Sequence, residues 1–329
     1  MYRAWAKGRR IRLFKVLFST ACKNSCKYCA IRRGRKAPRV TWNSEKLVKT
    51  FLTLYRKGRV EGFFLSSGVF RDHEEVVEKE VEVATKLKER GFKGYISLRL
   101  MPGTPSWLIK ETSKVADRTG VNIEAPLPEI FYEIAPDKGS YRNDILKVLD
   151  KASRIQPKSG VVTQMIIGLG ETDRDVLYTT YRLLKDFKLR RVYYSPFKPV
   201  KDTPLENVKP CPSYRSKLLY QAFFLLRDYV FELKDLVSIL DDNEMLPKTD
   251  DLKTYLAKKV DLKVDLDSAS LKDILKIPGI GLKTAKAIIK LRDNGLQITP
   301  YVLKRLLGVS RFKKVVNFID YKNTKLLAK

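Results

Sequence analysis

The sequence predicts an α/β fold, a parallel sheet curling into a partial (β/α)6 barrel, followed by a small all-α C-terminal domain. Three observations carry that expectation. From Arg12 to Phe197 short β-rich runs alternate with longer helical patterns, the signature of strand-helix units in a parallel sheet. After Phe197 the alternation stops and helical patterns replace it. The 329 residues suffice for one large domain and a smaller one.

Six runs read as strands: Leu13–Phe18, Gly62–Ser66, Gly94–Leu100, Val121–Glu124, Val161–Ile167 and Arg191–Ser195. The helices between them include His73–Arg90, behind the N-cap candidate Asp72, and Thr172–Phe187, where Tyr178, Tyr181 and Leu184 recur at helical spacing. Lys201–Pro212 is polar, carries three prolines and reads as a linker or lid. Leu218–Leu240 reads as one long apolar helix, and Asp241–Asp251 is polar again. The expected organisation is a sheet domain over 1–205, a helical extension and linker over 206–261, and a C-terminal domain over 262–329, with no solenoid repeat.

The formal charge is +29, from 66 basic and 37 acidic residues. It is concentrated at the ends: residues 1–39 hold thirteen Lys or Arg and no acid, and 263–329 hold fifteen against five. A heat-adapted surface is also charge-rich, but it mixes signs. A one-signed excess points to a polyanionic partner. Arg3, Lys7, Arg9 and Arg10 precede Leu13–Ala21 in the order of a signal peptide, yet Lys15 interrupts the apolar run and no cleavage site precedes Cys22. No run approaches the ~18 apolar residues that span a bilayer. Few cysteines fit a reducing compartment, so the expectation is a soluble cytoplasmic protein without a membrane partner.

Cys22, Cys26 and Cys29 fall within "STACKNSCKYCA", Ser19–Ala30, while Cys211 stands alone. A structural zinc or an electron-transfer cluster normally takes four protein ligands. Three thiols after a strand leave one metal position open to a substrate, although zinc completed by Cys211 or His73 stays possible.

The spacing Cys-x3-Cys-x2-Cys, with Tyr28 before the last cysteine, resembles the signature of the radical S-adenosylmethionine (radical SAM) enzymes. That resemblance implies a four-iron four-sulfur (4Fe-4S) cluster on Cys22, Cys26 and Cys29, whose fourth iron is chelated by S-adenosylmethionine. It also implies an electron donor such as ferredoxin or flavodoxin, and a 5′-deoxyadenosyl radical as the product of cofactor cleavage. Tyr28 and the turn Ser66-Ser67-Gly68 match cofactor-binding positions of that family, the turn holding the amino group. Asn122 and Glu124, in "VNIEAP", match the ribose contacts, and Ile167, Gly168 and Gly170, in "MIIGLGET", lie where the family holds adenine. Each has a plainer reading as turn, cap or strand end. Arg99 is a candidate for the cofactor carboxylate or a surface arginine, and His73 reads as a helix-start residue.

In "LKDILKIPGIGLKTAKAIIKLR", Leu271–Arg292, a short helix runs into Pro278-Gly279-Ile280-Gly281 and a second helix follows at once. Glycines at a helix start leave backbone N–H groups facing outward, which favours a phosphate oxygen, and Lys283, Thr284 and Lys286 stand beside them. The segment resembles a helix-hairpin-helix, a sequence-independent DNA-backbone binder. A looser copy follows in "YVLKRLLGVSRFKKVVNFI", with Gly308 at the turn and Arg311, Lys313 and Lys314 behind it. A helix pair that merely packs is the plainer alternative.

DNA glycosylases of the endonuclease III type also combine a cluster with this hairpin. They would need four cysteines C-terminal to it and an Asp in a particular context, which Asp293 lacks. Over nearly its whole length the chain resembles radical SAM proteins with a C-terminal helix-hairpin-helix, described as DNA modification or repair proteins. "EGFFLSSG", "ADRTGVNIE", "APDKG", "TQMIIG", "RVYYSPFKPV" and "IPGIG" occur in the family order. Arg99 in "SLRLMPG" departs from the Lys common in relatives. The resemblance implies a nucleic-acid partner, DNA before RNA, and leaves the product open.

Overall fold

The computed structural model describes residues 2–6, 9–156 and 160–320. Lys7 and the basic tail residues Lys322, Lys325 and Lys329 lie outside the described residues. The chain divides into two compact units, 1–171 with 182–212, and 172–181 with 213–329.

In the first unit β1 (Tyr2–Ala6) pairs antiparallel with β2 (Arg9–Leu17), an edge strand that the sequence patterns do not announce. From β2 the sheet is parallel. Helix α1 (Ser44–Arg56) crosses over to β3 (Gly62–Ser66) and α2 (His73–Glu89) to β4 (Tyr95–Ser97), giving the order β1-β2-β3-β4. Both helices start on a side-chain cap: Asn43 accepts from the Lys46 N–H at 3.1 Å and Asp72 from the Glu75 N–H at 2.8 Å.

Register separates the two faces of this sheet. Leu13, Gly62 and Tyr95 share one rung, and Lys15, Phe64 and Ser97 the next on the same face. Phe63, Leu65 and Ile96 alternate with them, facing Leu47, Phe51 and Leu52 of α1 and Val83, Ala84 and Leu87 of α2. Phe51 is the hub, its ring 4.9 Å from Phe63 and 4.8 Å from Phe92. Burying each such side chain contributes about 1.5–3 kcal/mol.

The expected strand Val121–Glu124 is not a continuous strand. Arg118 bridges Ser97, Thr119 bridges Val161 and Glu124 bridges Met165, all parallel but isolated. Gly120, at φ +152°, lies so close to the neighbouring chain that a Cβ there would meet the Val162 carbonyl oxygen at 1.7 Å. Glu124, at φ +61°, then turns the backbone out of the extended region. Beyond these bridges β5 (Val162–Ile167) and β6 (Arg191–Pro196) form a parallel pair. Helices α3 (Ser106–Val115), α4 (Pro128–Ile134) and α5 (Lys147–Ile155) fill the connections, with a π-helical stretch, Tyr141–Leu146, leading into α5. Helix α6 (Asp173–Lys185), whose first nine residues count with the second unit, follows β5 in the chain.

The second unit is helical. The expected long helix Leu218–Leu240 is two, α7 (Ser213–Asp228) and α8 (Leu233–Val237), parted where Val230 takes φ +58°, a conformation that a β-branched residue strongly resists. There follow α9 (Leu252–Lys259), α10 (Leu271–Lys276), α11 (Leu282–Asp293), α12 (Pro300–Leu307) and α13 (Val309–Val315). Ile274, Ile277, Ile280, Ala285, Ile288, Leu303, Leu307 and Val315 share one apolar core. Among the described residues no helix is long and apolar enough to cross a membrane.

Candidate functional site

The three clustered cysteines lie on the loop that leaves β2, and that loop is fastened from several sides. The Gly68 N–H donates to the Ser19 carbonyl at 2.8 Å, the Ser19 N–H to the Ser67 hydroxyl at 3.2 Å, and the Lys23 N–H to the Val69 carbonyl at 2.8 Å. At Gly68 a Cβ would lie 2.3 Å from the Ala21 carbonyl oxygen. The small-residue turn Ser66-Ser67-Gly68 thus has a structural reason of its own: the cysteine loop passes directly over it. Arg39 closes the far side, donating to the carbonyls of Thr20, Ile31, Arg32 and Arg35 at 2.6–2.9 Å. Arg32 caps the Ser25 and Cys26 carbonyls, and Arg35 those of Ala30 and Lys201. Part of the basic excess before Val40 is therefore engaged in holding this loop.

A second segment clamps the loop: the Ser25 N–H donates to Asp137 at 2.8 Å and the Lys27 N–H to the Ile134 carbonyl at 2.8 Å. The same segment delivers Lys138, which forms a buried ion pair with Glu124. Tyr28 shares a hydrogen bond with Glu124, and burial, followed by the Glu124 charge, holds its phenol well above the ordinary value. Burial pushes the Cys26 thiol up to about 11, with the Lys138 ammonium acting the other way, and raises Cys29 too. Thiolates are the metal-binding form; the Lys138 ammonium favours them and its Glu124 partner opposes them, so the pair brings little net charge to the loop. Lys138 is the functional candidate that sequence patterning misses. Its phrase "APDKG" was visible, but nothing in the spacing ties it to Glu124.

Asn122, two residues before Glu124, has its Oδ1 buried without a hydrogen-bond partner. Gly168, at φ +95°, packs on Cys211, whose Cβ would be 2.4 Å from a Cβ at Gly168. The N–H groups of Gly168 and Leu169 donate to Glu171 at 2.6 and 3.0 Å. Ile167 is a core side chain whose carbonyl accepts the Phe197 N–H at 2.9 Å. At Gly170 the nearest atom to a Cβ would be Ile130 Cδ1 at 3.9 Å, so space remains there. His73 is the first residue of α2, as expected, and burial and then the Lys138 charge hold it below its ordinary value. Among the described residues no three His, Cys, Asp or Glu side chains converge on a point for a single metal ion. A four-iron cluster is bulkier, and its ligands need not converge.

In the second unit Pro278-Gly279-Ile280-Gly281 forms the turn between α10 and α11, with Gly279 at φ +87° and Gly281 as N-cap. Pro278 and Ile280 are buried beneath it, Thr284 is half-buried, and Lys283 and Lys286 are exposed on α11. Between α12 and α13 a single residue, Gly308 at φ +74°, makes the turn, with Arg311 and Lys313 exposed beyond it. Arg311 also returns its Nε to the Leu307 carbonyl at 3.0 Å. A residue outside both hairpins supports the first: Lys253 of α9 donates to the Ile280 carbonyl at 2.6 Å and lies 4.3 Å from the Tyr229 ring centroid.

Among curated relatives, tRNA-2-methylthio-N(6)-dimethylallyladenosine synthase of Clostridium novyi is 26% identical over 205 residues, 59% of this chain and 44% of its own length. The mitochondrial lipoyl synthase of Drosophila melanogaster is 24% identical over 178 residues, 53% of this chain and 44% of its own. The chain thus spans less than half the length of either. Among solved structures, HydG, a maturase of FeFe-hydrogenase, superposes with a TM-score of 0.55 at 18% identity, covering 67% of this chain and 51% of that one, a likeness of fold. The profile of the radical SAM superfamily matches residues 16–180, half the sequence, and the chain belongs to that superfamily of enzymes, which use a 4Fe-4S cluster and S-adenosylmethionine.

Proposed function

We propose that this radical SAM enzyme acts on nucleic acid, with duplex DNA as its first substrate class. The observation that carries the proposal is the pairing, in one chain, of a three-thiol loop with two glycine-turned helix pairs bearing exposed Lys283, Lys286, Arg311 and Lys313. The residues of the first unit fit the cofactors. Three thiols share a loop clamped on both sides, Asn122 keeps an unsatisfied acceptor, and Gly170 borders open space. Cys22, Cys26 and Cys29 would hold the cluster, and Asn122 would accept from a cofactor hydroxyl. When bound, the cluster and S-adenosylmethionine supply hydrogen-atom abstraction from an unactivated carbon. Glu124 and Lys138 hold Tyr28 and the buried end of the loop in place. The hairpins position a phosphate backbone without reading its sequence, and a base inside a duplex must leave the stack to be reached.

A second reading, RNA as substrate, is favoured by the tRNA-directed activity in the name of the Clostridium relative. Phosphate contacts serve both polymers. The test is anaerobic reconstitution with iron and sulfide, reaction with S-adenosylmethionine and dithionite, and mass spectrometry of nucleosides from added duplex DNA and added tRNA. A modified deoxynucleoside supports the first reading and a modified ribonucleoside the second. Absence of both, with cofactor cleavage intact, sinks both.

A further inference from the structure

The face of the sheet turned away from α1 and α2 carries charge that the thiol loop does not use. Register puts Lys15 and Phe64 on one rung with Ser97, to which Arg118 is bridged, and Leu17 and Ser66 on the next rung. Arg99, two residues beyond Ser97, leaves β4 on the same side, and its guanidinium carbon lies 5.0 Å from the Phe64 ring centroid. The Lys15 ammonium stands 5.1 Å from the same ring, and Arg118 stands 5.8 Å from Tyr95. Arg99 is only 9% exposed, and its Nη1 has no hydrogen-bond partner, nor has the buried Nε of Arg118.

Ring faces offset part of the cost of gathering like charges. They leave Arg99 Nη1 and Arg118 Nε without an acceptor, and a buried donor left unpaired is destabilising. The nearby carboxylate does not supply the acceptor. Glu80, fully buried, takes the backbone N–H of Arg99 at 2.9 Å rather than the guanidinium. Burial also favours its neutral form.

We infer that this face holds an oxyanion of the substrate, a phosphate group received by Arg99, Arg118 and Lys15, with Phe64 and Tyr95 as neighbouring rings. The inference rests on the proposal that the enzyme works on nucleic acid, and it adds that this sheet face grips the target nucleotide by its own phosphate. Two planar forks beside a point charge match the three free oxygens of a phosphate better than a single carboxylate. The other source of the same chemistry is the carboxylate of S-adenosylmethionine.

The experiment compares binding of the four deoxynucleoside 5′-monophosphates with that of the matching nucleosides to the reconstituted full chain by calorimetry. At least one nucleotide should bind tenfold or more tightly than its nucleoside. Arg118→Gln and Lys15→Gln, at less buried positions than Arg99, should each erase most of that difference while S-adenosylmethionine affinity, measured directly, stays within twofold. Circular dichroism confirms that the variants fold. Absence of any phosphate-dependent difference in the wild type overturns the inference, as does an equal loss of S-adenosylmethionine affinity, which would assign the cations to the cofactor. A wild type that shows the difference but modifies neither DNA nor RNA keeps the anion site and removes the nucleic-acid proposal.

Discussion

The Lys138 ammonium donates to the Glu124 carboxylate in a pair whose side chains are 17% and 3% exposed, beside Tyr28 and within electrostatic reach of Cys26 and Cys29. Lys138→Met leaves the buried Glu124 carboxylate without its counter-charge and with Tyr28 as its hydrogen-bond partner, and about 3 kcal/mol of stability should be lost. Glu124→Gln with Lys138→Met should recover much of it. A double-mutant cycle by urea denaturation of the apo protein measures the coupling, and additive losses would show that the pair is incidental.

The cysteine ligands are separable from the fourth thiol. Replacing Cys22, Cys26 or Cys29 with Ala should abolish four-iron absorbance and cofactor cleavage. Cys211→Ala should retain both, because that thiol packs on Gly168 as a core group. Iron and sulfide analysis decides it, and cluster loss in the Cys211 variant would mean a different ligand set.

Gly68→Ala tests the loop's seat. With a Cβ 2.3 Å from the Ala21 carbonyl oxygen, backbone has to move, and overpacking of this kind costs about 1–3 kcal/mol. The expected signature is a lowered melting temperature together with poor cluster retention. A variant that loads iron like the wild type would show that the loop tolerates displacement.

Lys283→Glu with Lys286→Glu should weaken duplex binding and reduce the slope of log K against log salt by about 2, one for each phosphate that is no longer neutralised. Cofactor cleavage without nucleic acid should persist. Unchanged binding by fluorescence anisotropy across a salt series would return the hairpins to a packing role.

Burial lowers Lys253 to about 7 from its ordinary 10.5, against the opposing pull of Asp251. Between those values the unfolded chain binds the extra proton, so stability should rise as pH rises from about 7 toward 10, by at most about 1.4 kcal/mol per pH unit. Lys253→Met should flatten that slope in denaturation of the full chain. A slope that survives the substitution assigns it to other groups.

Where patterning was local, it was legible. Gly62–Ser66 is a strand as read, Asp72 caps α2, and the cysteine spacing with Tyr28 pointed to the superfamily. What failed depended on backbone geometry or on distant partners. Gly120 and Glu124 broke the fourth strand, because a positive φ at a glutamate has no sequence signal. Val230 broke the long helix for the same reason. Lys138 and Lys253 were invisible because each acts on a residue from another part of the chain. The basic excess before Val40 pointed to a polyanionic partner, yet Arg32, Arg35 and Arg39 turn to backbone carbonyl groups.

Arg39 touches four carbonyls of a loop whose thiols lie elsewhere. Such a loop should keep its shape before any iron arrives. Loading is then closer to casting into a finished mould than to folding around a seed, and the entropy of ordering the chain is met at synthesis rather than at metal insertion. A metal-nucleated finger collapses when stripped; this protein, stripped of iron, should remain a template ready to be refilled.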